Sequence, residues 1–442
     1  RSQPSSATAA TIARATRAEM LASSAPLVLA CVFVAALAQL STSAVARAAQ
    51  PAAGSNGILA AADAGARVVV GRTGEPRKLD VHGSIVNVRV GQVLAGNVEA
   101  GESLSIVWEE LSSSRPSRFE KGGRILVCLE PLPGSSIWRK RLPTPAERSG
   151  VMAVAGGGDA FVRDPAAPVV YALGHYLALG IEARGQAPGL AYLVDLVATA
   201  DEGLAAEALA KLAAHDDLGS RLADGSQKVL VSSAAVAGRP ERLRLGVLNL
   251  AGQRRLVAAR AELVALTLGG PPVDAAAWMA LGEIDGGLES GRDRALLESD
   301  RADMRRVGVR FLEGANVRLR LAAVAREDAS PLVRSAAVAR LVEDFGVAAI
   351  DDVLPSLADP DDGVRTAAAA KIGSLGAPVV PRLVAIIDDG SARARDGAVV
   401  ALSFAGPDGT VALQRIAADH PDERTRKLAG LALGRFPGHE HN

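Results

Sequence analysis

The sequence predicts a multidomain protein, with a small all-β barrel or sandwich followed by an all-α solenoid of stacked helix pairs. Three observations lead there. A short pattern returns at nearly fixed spacing through residues 327–436, alternating apolar residues with glycine turns fill residues 66–165, and the first 48 residues have the three parts of an export leader. The expected division is a leader over 1–48, a flexible connector over 49–65 and a β domain over 66–165. A connecting or capping helix over 166–186 and a solenoid over 187–437 complete it.

Composition limits the function classes. The 442 residues carry 49 basic and 49 acidic side chains, so no net field gathers nucleic acid. Apolar residues make up 49% and aromatics only 3%, which predicts a core of Ala, Leu and Val with few rings for stacking on bases or sugars. The two cysteines, Cys31 and Cys128, provide no disulfide framework.

Arg14 and Arg17 precede an apolar run from Ala25 to Leu40, and small residues then lead to A-x-A exits at Ala46 or Ala48. Basic end, apolar middle and small-residue exit describe a secretory signal. Two alternatives stay open: an uncleaved membrane anchor over residues 21–40, or lipidation at Cys31 after Val28-Leu29-Ala30. The expected location is periplasmic or secreted, with no membrane contact in the mature form unless one of these alternatives holds.

In the β region, Val68–Val70, Ile85–Val90, Leu104–Trp108 and Ile125–Leu129 favour strands, and Gly91, Gly96, Gly101 and Gly122-Gly123 mark turns. The phrase Val90-Gly91-Gln92-Val93-Leu94-Ala95-Gly96, followed by Gly101-Glu102 and Phe119-x-x-Gly122-Gly123-Arg124, resembles small OB-type or netrin-like exported modules. Trp108, Trp138 and the basic run Arg139-Lys140-Arg141 are the candidate binding residues, suited to a sugar or nucleic-acid groove in a barrel. Their structural alternative is a core tryptophan and a solvated loop. Cys128 sits within an apolar strand and reads as an inert buried thiol. His175, beside Tyr171 and Tyr176 in the connecting helix, reads as a packing residue.

The repeats organise the remainder. In the unit around Arg365, Ile350, Val353, Leu354 and Leu357 form one helical stripe and Val364, Ala368, Ile372 and Leu375 a second. The turn Asp359-Pro360-Asp361-Asp362-Gly363 between them supplies an N-cap. Leu341, Ile372, Leu402 and Leu433 lie 31, 30 and 31 residues apart, and Leu250, Leu281 and Leu312 continue the series upstream. A helix pair of this size buries its faces only by stacking on neighbours. Asp328, Asp359, Asp388 and Asp419 are expected to end first helices, and Arg334, Arg365, Arg395 and Arg426 to open second ones. Each Arg is expected to reach the Asp of its own or a neighbouring repeat as a structural rung; the rival reading is a charged binding ladder.

With these residues, the stretch Leu357-Ala358-Asp359-Pro360-Asp361-Asp362-Gly363-Val364-Arg365 resembles HEAT repeats of the short, bilin-lyase-type variety, over about residues 187–436. The resemblance implies an α-solenoid whose first helices are kinked at prolines such as Pro355 and Pro381. It does not by itself imply an activity.

Catalytic motifs of the phosphate-loop, zinc-protease, serine-hydrolase and EF-hand kinds are absent from the sequence. Asp359-x-Asp361-Asp362 lacks the glutamate that closes a calcium loop. The expectation is a non-enzymatic scaffold of the bacterial cell envelope, binding a protein through the solenoid, with no cofactor, no metal and no nucleic acid. Polysaccharide or ligand binding by the β domain is the first alternative, and a bilin-lyase-like enzyme accessory the second.

Overall fold

The computed structural model describes residues 57–79, 83–109, 119–142, 150–155 and 160–435. The leader and residues 49–56 of the connector lie outside these residues. The chain divides into two compact units between Gly287 and Leu288, so the helical region predicted for 187–437 is shared between them.

The first described element of this unit is a helix, α1 (Ile58–Asp63), where composition had predicted flexible connector. The correction has a packing cause. Leu59 is fully buried and Ile58, Ala61 and Ala62 nearly so, in a core shared with Cys128 of the sheet and Leu204 of a later helix. The N-terminus of α1 is capped from a distance: the Glu207 carboxylate accepts from Ile58 N at 3.0 Å and Leu59 N at 2.8 Å.

Seven strands follow: β1 (Arg67–Thr73), β2 (Arg77–Lys78), β3 (Gly83–Ala95), β4 (Ser103–Glu109), β5 (Arg124–Pro131), β6 (Met152–Val154) and β7 (Phe161–Arg163). β1 pairs antiparallel with both β3 and β5. β3 continues to β4, β4 pairs parallel with β6, and β6 pairs antiparallel with β5. These pairings close a five-stranded ring, which removes the exposed edges of an open sheet. β2 and β7 add to β3 and β5 outside the ring. Strand alternation sorts the side chains. Val69, Val88, Ile106, Val127 and Leu129 share the barrel core, whereas Val68, Val70, Leu126 and Cys128 point outward and pack with α1 and α3 (Ala167–Ala178). Between β5 and β6 lies the short α2 (Ile137–Arg141).

Helices α4 (Ile181–Arg184), α5 (Ala187–Thr199) and α6 (Glu202–Ala213) come next, then α7 (Leu218–Arg221), α8 (Asp224–Ser232) and α9 (Glu241–Gln253). The unit ends with α10 (Arg260–Leu266) and α11 (Val273–Asp285). Three pairs are recognisable: α5 with α6, α8 with α9, and α10 with α11. The long interval between Leu212 and Leu250 is filled by α7 and a 3-10 turn at Ser233–Ala235.

The second unit stacks five pairs. α12 (Arg292–Leu297) precedes α13 (Ala302–Phe311), and α14 (Val317–Glu327) precedes α15 (Pro331–Phe345). In the third pair, α16 (Ile350–Val353) tightens into a 3-10 segment, Leu354–Ala358, before α17 (Asp362–Gly373). α18 (Val380–Asp389) pairs with α19 (Ala392–Ser403), and α20 (Gly406–Asp419) with α21 (Glu423–Arg435). Leu312, Leu341, Ile372 and Leu402 are fully buried in one core, with Leu433 packed against it. Burying such a side chain contributes about 1.5–3 kcal/mol, so the periodic positions dominate the stack.

The two prolines behave differently. Pro355 sits in the 3-10 segment, where the helix changes pitch. Pro381 lies in the first turn of α18 and causes no interior kink, because a first-turn residue has no helical N–H partner to lose.

Candidate functional site

The residues expected to form the ladder occupy the turns of the second unit. Arg334 Nε and Nη2 donate to the two carboxylate oxygens of Asp359 at 2.8 and 2.7 Å. Arg334 Nη1 also donates to the carbonyl of Asp328 at 2.8 Å, six residues before it. Asp359 Oδ1 in turn accepts from Asp361 N at 2.8 Å, an Asx turn that prepares the Asp361 cap on Val364 N. One carboxylate therefore shapes its own turn and holds the arginine of the preceding repeat.

The same arrangement exists one repeat earlier. Arg305 makes a bidentate pair with Asp328 at 2.8 and 2.9 Å and donates to the Ser299 carbonyl, while Asp328 accepts from Ser330 N. The sequence reading missed Arg305, although it lies 29 residues before Arg334, the spacing that separates Leu312 from Leu341. Burial would raise the carboxyl pKa of Asp328 and of Asp359. The guanidinium and turn N–H bonds outweigh that effect and hold both below the ordinary carboxylate value.

Later rungs change chemistry. Arg365 pairs with Asp362 of its own turn and donates to the Asp359 carbonyl. Arg395 Nη1 lies 3.9 Å from Asp422 Oδ2. The residue six places before Arg395 is Asp389, and Asp388 and Asp389 are both exposed. Asp419 ends α20, and the residue six places before Arg426 is His420. Arg426 donates to the His420 carbonyl, the same backbone bond that Arg334 makes to Asp328. The His420 ring lies against two groups: Nδ1 accepts from Asp422 N at 3.1 Å, and Nε2 faces the Ile387 carbonyl at 3.3 Å. With Nδ1 accepting the turn N–H, the imidazole takes the place that the Asp328 and Asp359 carboxylates hold in their own turns.

Further ion pairs join successive repeats. Arg318–Asp352 and Arg382–Asp351 link first helices, and Lys371–Glu343 and Arg424–Asp396 link second ones. Leu319, Leu332, Val411 and Leu431 are left more than half exposed on the same unit. Leu319 and Val411 lie on first helices and Leu332 and Leu431 on second ones.

The candidate residues of the β domain do not form one groove. Trp108 is 3% exposed inside the barrel, edge-on to Phe119 at 4.6 Å. Trp138 is 8% exposed in a separate outer cluster with Ile85 and Leu142, its ring filling the space over Gly83. Arg139 donates to the Leu132 carbonyl at 2.7 Å, Arg141 stacks over Trp138 at 5.4 Å, and Lys140 is exposed. Both indoles bury their faces because each fills a core, which is the structural alternative to a binding groove.

Cys128 is buried, with Sγ 3.6 Å from the Ile58 carbonyl; burial, then the Glu207 charge, pushes its thiol up to about 12. His175 Nδ1 lies 2.9 Å from the Tyr171 carbonyl, and its ring packs against Tyr171 and Tyr192. Among the described residues no group of three His, Cys, Asp or Glu could hold a metal ion, and no single helix is long and apolar enough to cross a membrane.

No curated protein matches the chain. Residues 319–403, from within α14 to the end of α19, match the family described as HEAT repeats, so the family match falls on the helix pairs that carry the Arg334–Asp359 rung.

Proposed function

We propose that the protein is a non-enzymatic scaffold of the bacterial cell envelope that binds a protein partner through its helix-pair stack. HEAT repeats commonly serve as protein-interaction scaffolds, and residues 319–403 match them. The observation that carries the reading is the use of charge in the second unit. Arg305, Arg334, Asp328 and Asp359 are consumed in holding repeats together, while Leu319, Leu332, Val411 and Leu431 stay exposed. A rigid stack with apolar residues among ion pairs suits a protein surface better than a small-molecule site.

Export is part of the proposal and rests on the leader pattern of residues 14–48. The OB-like reading of the β domain belongs here too, supported by the five-stranded ring with its one parallel pair, β4 with β6. The glycan alternative is weakened by the burial of Trp108 and Trp138.

Affinity capture from envelope extract tests the binding claim, using the mature chain beside a Leu319→Glu/Leu332→Glu variant. The proposal expects a partner retained by the wild type and lost by the folded variant; equal retention by both removes the stack as the binding surface. Sequencing the N-terminus of the exported chain tests the leader, with cleavage after Ala46 or Ala48 expected. A chain recovered only from the cytosol would refute export.

A further inference from the structure

On the outside of the barrel three arginines stand in line across three neighbouring strands. Arg72 of β1 is the direct cross-strand partner of Arg89 on β3 and also of Arg124 on β5. Direct partners on adjacent strands share a face and lie about 5 Å apart, so three positive charges span about 10 Å. Like charges set opposite one another destabilise a sheet, and no carboxylate lines the cleft beside them among the described residues. Arg72 donates to the Gly122 carbonyl and Arg124 to the Pro165 carbonyl, which orients them without neutralising them. The Arg89 side chain has no hydrogen-bond or ion-pair partner among the described residues, its backbone being paired with Arg72 and Ser103.

The backbone there is shaped to leave room. Val70 pairs with Gln92 but Gly71 pairs with Val90, so Gly91 is the extra residue of a β-bulge. Gly71 lies so close to the Arg89 backbone that a Cβ on it would sit 2.6 Å from the Arg89 carbonyl oxygen. Two glycines thus leave bare backbone in a cleft of about 350 Å3, lined also by Val70, Val90, Gln92 and the three arginines. That volume lies at the small end of ligand sites.

We propose that this cleft binds a small phosphate-bearing anion. Guanidinium groups match phosphate oxygens with paired N–H donors, and a phosphate group offers three strong acceptors with close to two negative charges. A row of three arginines therefore suits a ligand with one or two phosphates better than a single carboxylate. The cleft's lining includes neither tryptophan and none of the residues on which the scaffold reading rests, so the proposal does not depend on that reading.

Calorimetric titration of the full mature chain with inorganic pyrophosphate tests the proposal, with inorganic phosphate and citrate as comparisons at constant ionic strength. Pyrophosphate is expected to bind more tightly than phosphate or citrate, and Arg89→Gln to weaken it at least about tenfold. Arg89→Gln removes no protein hydrogen bond and relieves repulsion, so its thermal midpoint without ligand should equal or exceed the wild type. Arg89→Lys, which keeps the charge but loses the fork, is a second variant with the same readout and should also weaken binding. Undetectable pyrophosphate binding, or affinity unchanged by both substitutions, would overturn the site. Citrate binding as tight as pyrophosphate would overturn the phosphate assignment.

Discussion

Arg334 and Asp359, 25 residues apart, form a bidentate pair in which each residue is less than a tenth exposed. The pair ties the second helix of one repeat to the turn of the next. Arg305 and Asp328 repeat the arrangement one layer earlier. Because these carboxylates also accept the N–H two residues ahead, turn geometry and repeat stacking depend on the same atoms.

Acid should loosen the second unit through these two groups. Their carboxyl pKa values are depressed in the folded state, so their contribution is complete above the unfolded value of about 3.9 and is lost as pH falls through the lower, folded value. Asp359→Asn should therefore be less stable than the wild type at pH 7, and the gap should narrow below about pH 4. Thermal midpoints measured from pH 7 to pH 2.5 check this. A gap that stays constant over that range would contradict the linkage.

Gly373 should resist replacement although it lies within a helix. A Cβ there would sit 2.3 Å from the Ala401 carbonyl oxygen, because α17 and α19 approach closely at this point. Gly373→Ala gains at most about 1 kcal/mol in helix propensity and loses about 1–3 kcal/mol by overpacking, a net loss. At Gly430 in α21 a Cβ would meet nothing within 4 Å, so Gly430→Ala should be neutral or stabilising. Unfolding free energies of the two variants from urea titration should differ by at least about 1 kcal/mol, with Gly373→Ala the less stable.

Glu207 gives a dependence of the opposite sign. Burial raises its carboxyl pKa, and the bonds from Leu59, Ile58 and Ala60 with nearby Lys211 offset this only in part. A raised carboxyl contributes stability that is complete below the unfolded value of about 4.3 and is lost as pH rises through the folded value. The wild type should gain stability relative to Glu207→Gln as pH falls from 7 toward 4. Glu207→Ala removes the cap of α1 altogether, at about 1 kcal/mol, and amide exchange at Ile58 and Leu59 should quicken by several-fold. Unchanged exchange at those two amides would show that packing alone holds the helix.

The period of the second unit was legible because Leu312, Leu341, Ile372 and Leu402 must be buried for helix pairs to stack, and burial writes itself into sequence as spacing. Rung chemistry was less legible. Asp388 and Asp389 are both exposed at their turn, and His420, one position after the expected Asp419, takes the turn N–H and the backbone bond from Arg426. The helix α1 was invisible because six residues carry no period and its cap comes from Glu207, 149 residues away. The arginine row was hidden for the same reason: Arg72, Arg89 and Arg124 become neighbours only through strand pairing. For Trp108 the alternative of a core tryptophan was legible from its strand, but the separate outer cluster that takes Trp138 forms only through the fold.

The central claim is that the Arg–Asp ladder is structural, leaving the rest of the stack's surface for a partner. A double-mutant cycle on Arg334→Met and Asp359→Asn tests it most directly, with unfolding of the second unit read by hydrogen exchange across residues 331–373. Each single change should cost about 3 kcal/mol, because it leaves a buried charge or polar partner behind. The double variant should cost less than the sum, with a coupling of about 1–3 kcal/mol. Additive losses with no coupling, or single changes that leave exchange untouched, would contradict a structural ladder and return these residues to the candidate binding surface.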